Sequence, residues 1–227
     1  MTAEKMPCLP VKITDKKWAD SLQSGSLFMR SLYDYGSWSA IERAWSGDQQ
    51  MKSGVQGDVG EGIVRRVDPK IGDDFFNRFE PQLRAVMEDC FYIEQRVFQY
   101  CKVFCMYGLT YLIPEQRYEK PDERLREFGD TAVIFLNPNE FLNRVLRGLG
   151  RQYGDNVNFR LDEIHYYPSD YYGPLDEFCK SASYAWQNEM RIRVALLNPE
   201  NFIVDAEGRK RKQIIQNTDS IIVNIGD

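Results

Sequence analysis

The segment QNEMRIRV, residues 187–194, alternates strictly. Gln187, Glu189, Arg191 and Arg193 fall on one side, and Met190, Ile192 and Val194 fall on the other. Side chains of a strand point to opposite faces in turn, so the pattern predicts a β-strand with one buried face. Its polar side is ordered, with an amide and a carboxylate two residues apart at its start and two arginines after them.

Much of the remaining chain also reads as strand. PVKITDKKWADSLQSGSLFMRSLY reads as strand, short helix and strand, with Thr14 or Asp15 as cap, Trp18, Ala19 and Leu22 at helical spacing, and Gly25 as the stop. IVRRV, two segments within YIEQRVFQYCKVFCMYGLTYL, TAVIFL, VNFRLDEIHYY, a hairpin over NFIVDAEGRKRKQIIQ and a final SIIVNIG complete the strands. The RKRK run Arg209–Lys212 reads as a solvated hairpin tip. In NPNEFLNRVLRGLGRQYG, Asn137 caps a helix, Pro138 opens it and Glu140 completes a capping box. Phe141, Val145 and Leu149 line one face of this helix. LDEFCKSASYAW is predicted to be helical. Runs of strands with a few short flanking helices predict an α+β fold of mostly antiparallel sheets, in a single domain over 1–227.

Composition sets the outer bounds. A net charge of -5 argues against general nucleic-acid binding. No stretch approaches the ~18–20 apolar residues of a membrane span. The N-terminus MTAEKMPCLPVKI lacks the apolar region of a signal peptide. The five cysteines, Cys8, Cys90, Cys101, Cys105 and Cys179, are scattered, so reduced thiols in a cytoplasmic protein are expected. Cys101 and Cys105 read as two buried thiols on one strand face. Zinc would need further soft ligands, and the chain has one histidine, His165, which reads as a packed core residue. No metal site is expected.

Four features rise above this background. Arg30 shares a strand face with Phe28 and Leu32, at the sheet edge or partly buried, and a buried guanidinium needs an anionic partner from the protein or a ligand. Residues 36–62 hold six glycines, with Asp58 and Glu61 in GDVGEGI; these acids can hold an arginine or face a ligand. Tyr33, Tyr35, Tyr107 and Tyr111 can stack on a planar ring or pack in a core. Finally, Glu189 can accept hydrogen bonds from ribose hydroxyls and stabilise an oxocarbenium-like transition state, with Gln187 orienting an acceptor.

An arginine on an early strand with Gln-x-Glu at the start of a late one resembles the ADP-ribosyltransferase pattern. The resemblance implies an ADP-ribosyltransferase-like fold and NAD as substrate. It also implies a catalytic Glu189 acting on the nicotinamide ribose, and Gln187 selecting the acceptor. Arg30 would hold NAD, with Ser31, Tyr33 and Tyr107 as further cofactor-binding residues. The order LQSGSLFMRSLYDY, GDVGEGI, VFCMYGL, FGDTAVIFLNP, FCKSASYAWQNEMRIRV is similar to a widespread group of bacterial and prophage proteins, over most of residues 11–197. Together these imply a mono-ADP-ribosyltransferase or NAD glycohydrolase of a bacterial or phage conflict system, such as a toxin or phage-defence protein. The alternative is a non-catalytic phage or host protein that sequesters a nucleotide or contacts a protein partner.

Overall fold

The computed structural model describes residues 5–35, 63–67, 92–95 and 100–226. In chain order the strands are β1 (Lys5–Thr14), β2 (Ser26–Ser31), β3 (Ile63–Val67), β4 (Tyr92–Gln95), β5 (Lys102–Leu112), β6 (Arg117–Tyr118), β7 (Thr131–Ile134), β8 (Val157–Glu163), β9 (His165–Tyr167), β10 (Gly173–Pro174), β11 (Cys179–Ser181), β12 (Glu189–Val204), β13 (Lys210–Ile214) and β14 (Ile221–Asn224). Two α-helices, α1 (Lys16–Gln23) and α2 (Pro138–Tyr153), and 3₁₀ turns at Glu123–Phe128 and Ala182–Gln187 complete the described elements. The fold is α+β and mostly antiparallel, and its main sheet is curled into a half-barrel. β9 and β11 pair in parallel. Among the described residues no helix is long and apolar enough to cross a membrane.

β5 organises the main sheet. One of its edges pairs with β12 from Lys102 to Tyr107. The other edge is shared: β2 pairs at Lys102 and Val103, and β1 takes over from Tyr107 to Leu112. Between them Phe104, Cys105 and Met106 have no strand partner on this edge among the described residues. The sheet therefore forks, with β1 and β2 diverging and α1 connecting them.

The apolar face of the sheet carries the main core. Leu27, Met29, Phe104, Met106, Ile192, Val194 and Val223 pack beneath Phe141, Val145 and Leu149 of α2. Asn137 caps α2, its Oδ1 accepting from the Glu140 N–H at 3.1 Å, and Pro138 occupies the first turn as expected. The Glu140 carboxylate turns outward instead of closing the capping box, accepting from Arg144 and Arg147 at 3.0 Å each. Its ion pairs at one-turn and two-turn spacing compete with the backbone for the same oxygens.

Other expectations are corrected. Residues 175–186 are not one helix: β11 pairs with β9, and a 3₁₀ turn follows. Helical spacing there is overridden by tertiary pairing, which places Lys180 beneath the β12 strand. His165 lies exposed on β9, not in the core. The hairpin tip is solvated, but ordered by charge: Asp205 accepts from Arg209 at 2.9 Å and from Arg211 at 2.8 Å.

Candidate functional site

The fork in the sheet opens a cavity of about 400 Å³, a size typical of small-molecule sites. Lys12 of β1, Arg30 of β2, Cys105 and Tyr107 of β5, Lys180 of β11, and Gln187 and Glu189 line it. Tyr35, in the helical turn after β2, adds a phenol. The remaining wall is aromatic and aliphatic, with Trp18 of α1, Phe28 of β2, and Leu125 and Phe128 of the first 3₁₀ turn. Trp18 and Phe28 stack with centroids 6.1 Å apart and planes 18° from parallel, and Trp18 is 50% exposed. Beyond Tyr107 a second hollow of about 300 Å³ is bounded by Glu119, Lys120, Asp122, Trp186 and Asn188.

The polar face of β12 is buried as well. Arg191 is 1% exposed and Glu189 is 6% exposed. Charged groups survive such burial when each finds an opposite charge and hydrogen bonds. Lys180 Nζ donates to Glu189 Oε2 and to Gln187 Oε1, both at 2.9 Å. Arg191 Nε donates to Glu189 Oε1 at 2.9 Å, and its Nη1 donates to the Glu177 carbonyl oxygen at 2.6 Å. Arg193 Nε then donates to Glu177 Oε1 at 2.6 Å. A ladder of alternating charge runs from Lys180 through Glu189, Arg191 and Glu177 to Arg193.

Backbone geometry fixes where the ladder begins. Gln187 ends a 3₁₀ turn and is not the first strand residue, because Asn188 adopts the left-handed conformation at φ 38°. Asn188 Nδ2 donates to the Gly108 carbonyl oxygen at 2.5 Å and to Thr110 Oγ1 at 3.1 Å, locking this bend against β5. The Glu189 N–H donates to the Tyr166 hydroxyl at 2.9 Å. Gln187 and Glu189 are thus brought together by Lys180, not by strand alternation.

Electrostatics follow from burial and neighbours. Burial pushes the Glu189 carboxyl up, but Arg191, Lys180 and hydrogen bonds from Cys105 and Lys180 outweigh it, holding the group well below the usual carboxylate range. Burial raises the Cys105 thiol to about 12, with the Glu189 charge adding to the effect. Burial likewise raises the Tyr166 phenol to about 12, with the Glu189 N–H bond opposing. The site therefore offers a carboxylate that is ionised at neutral pH among neutral thiol and phenol groups.

Arg30, Tyr107, Gln187 and Glu189 line the cavity, as does Tyr35. Ser31 and Tyr33 do not line it. Ser31 is fully buried on the opposite face of β2, its Oγ accepting from the Tyr33 N–H at 3.1 Å, while Tyr33 is exposed. Tyr111 instead meets Tyr118 edge to face at 5.3 Å. Arg30 keeps Phe28 on its own face, 5.8 Å from ring centroid to guanidinium carbon, whereas Leu32 lies beyond the strand in the core. Cys101 and Cys105 belong to one packed cluster, Cys101 buried and Cys105 half-buried. Asp58 and Glu61, read as acids that could hold an arginine, lie outside the described residues; the described acids beside Arg191 and Arg193 are Glu189 and Glu177.

Sequence reasoning gave neither Lys12 nor Lys180 a role in the site. Lys180 carried a signal, since a lysine seven residues before Gln187 and nine before Glu189 can reach both if the chain between them folds back. Lys12 carried none, because the fork is a property of topology. Among the described residues no group of three or more His, Cys, Asp or Glu side chains is placed to hold a metal ion. No protein-family model, curated protein or solved structure matches the chain, so the cavity and its charges stand on their own geometry.

Proposed function

We propose that the chain is an NAD-consuming enzyme, a mono-ADP-ribosyltransferase or NAD glycohydrolase of a bacterial or phage conflict system, working in the cavity at the fork. One observation carries the reading: Arg30 and Glu189, contributed by strands on opposite edges of β5, line a single cavity. In the proposed reaction the glycosidic bond to nicotinamide breaks, its electron pair leaves with the pyridine ring, and positive charge develops on the ribose. Glu189 acts as a fixed negative charge toward that ribose and not as a proton donor. Arg30 holds the dinucleotide through a forked contact that lysine cannot copy. Water or an acceptor nucleophile then forms the new bond at the anomeric carbon and releases a proton. Incubating the purified protein with NAD and separating the products tests this directly. Nicotinamide release is expected; neither release nor NAD binding would end the proposal.

A second reading is favoured by the pairing of Glu189, whose two oxygens are both engaged by cations. A carboxylate neutralised in this way stabilises a neighbouring positive charge less. The same cavity would then serve a protein that sequesters a nucleotide, or contacts a protein partner, without cleaving anything. Stoichiometric NAD binding with no nicotinamide release is the result that favours it.

A further inference from the structure

Lys12 is a half-buried ammonium that the reaction above does not use. It lines the cavity from β1, donates to the Cys105 carbonyl oxygen at 2.8 Å, and sits 4.8 Å from the centroid of Phe104. That carbonyl lies on the stretch of β5 that has no strand neighbour on this edge among the described residues, and Lys12 supplies it a donor. A neutral donor would satisfy it. Lysine brings a charge too, and among the described residues no carboxylate lies within ion-pair distance of Lys12. An ammonium has three donors, and the carbonyl uses one.

The surroundings point to an anionic guest. Cys105 of β5, Glu189 of β12 and Arg30 of β2 act on Lys12, and Asp15, Tyr35, Tyr107 and Lys180 line the same cavity. Both Glu189 oxygens are engaged by Lys180 and Arg191. Burial lowers the Lys12 pKa; Cys105 and Glu189 oppose that shift, and Arg30 adds to it. A phosphate beside Lys12 would offset the cost of keeping its charge buried. The stacked Trp18–Phe28 pair lines the same cavity and presents a half-exposed indole, a surface suited to a planar base.

We propose that Lys12 receives a phosphate of a bound nucleotide at the fork between β1 and β2, with the nucleotide's base covering the Trp18–Phe28 pair. This rests on the reading of the cavity as a nucleotide site, and it holds whether or not the nucleotide is cleaved. Calorimetry with ADP, adenosine and inorganic pyrophosphate separates the two ends. Lys12→Met should weaken ADP and pyrophosphate about 10- to 100-fold, the usual scale for a charge-assisted contact, and leave adenosine unchanged. Trp18→Leu should weaken ADP and adenosine and spare pyrophosphate. Lys12→Gln keeps a donor for the Cys105 carbonyl without the charge, and should lose affinity as Lys12→Met does. Reductive methylation of the unmutated protein, read by peptide mass, needs no variant: ADP should lower modification at Lys12. Wild-type ADP affinity in folded Lys12→Met or Lys12→Gln, or equal methylation with and without ADP, overturns the assignment and leaves the cavity reading intact. A wild-type protein that binds neither NAD nor ADP overturns both.

Discussion

The Nζ of Lys180 lies 2.9 Å from Oε2 of Glu189, with both side chains buried. The same nitrogen reaches Gln187, so one ammonium ties the acid and the amide into a single unit at the cavity wall. Arg191 engages the other oxygen of Glu189. Removing the carboxylate would leave two cations facing each other out of water.

Glu189→Gln is therefore expected to lower stability by about 3–5 kcal/mol, the cost of breaking a buried ion pair. Adding Lys180→Met should restore part of the loss by removing one of the stranded cations. Urea titrations of the single and double variants measure both quantities. Under the proposed function, the folded fraction of Glu189→Gln should also lose ~100- to 1000-fold in NAD turnover.

Acid should act through the same group. The folded Glu189 pKa is depressed, so its stabilisation is fully present above the unfolded value of about 4.3 and is lost as pH falls through the folded value. Stability should thus decline below about pH 4 with a contribution approaching ~1.4 kcal/mol per pH unit from this carboxyl. The acid limb of a pH–stability curve should be shallower in Glu189→Gln by that slope. An identical limb would mean that Glu189 is not held ionised in the fold.

The thiols should be quiet. Burial raises Cys101 and Cys179 to about 11 and Cys105 to about 12, and thiolate is the reactive form. At pH 8, alkylation of these three in the native protein should be far slower than in the denatured chain, as peptide mass spectrometry would measure. Rapid native labelling at Cys105 would show that the cavity wall opens.

Asn188 holds a left-handed bend and two side-chain hydrogen bonds. Asn188→Ala loses the bonds and keeps the strain, so about 1–3 kcal/mol of destabilisation is expected. Asn188→Gly relieves the strain and should cost less, because glycine accepts positive φ. Equal losses in chemical denaturation would assign the whole effect to the hydrogen bonds.

Gly148 inverts a familiar rule. Glycine inside a helix normally gives way to alanine with a gain of about 0.5–1 kcal/mol. Here a Cβ would collide with the Asn224 carbonyl oxygen of β14, on which α2 rests. Gly148→Ala should instead destabilise by about 1–3 kcal/mol, the usual cost of overpacking. Thermal melts would give the sign at once.

The sequence made local rules legible and left their combination hidden. Helix α2 was readable because Asn137, Pro138 and the Phe141–Val145–Leu149 stripe all act within a few turns. β12 was readable by alternation, but its polar side was readable only as chemistry, since nothing local says that Glu177 and Lys180 fold over it. The stretch 175–186 looked helical because its spacing favours a helix, while its actual form depends on β9 and on Lys180 reaching Glu189. Arg30 and Glu189 were singled out by residue type, and the shared cavity depends on how β5 pairs with β12, β1 and β2.

That arrangement of β5 has a consequence for how the protein avoids sticking to itself. Unpaired strand edges invite other chains to add on, and proteins usually keep them short, charged or covered. At Phe104–Met106 the edge that lacks a strand partner among the described residues lies in the middle of the sheet, flanked by β1 and β2 and tied to Lys12 through the Cys105 carbonyl. A small molecule can reach it through the cavity, whereas an incoming strand would have to displace its neighbours. The fork thus gives access to backbone polar groups without offering a template for aggregation.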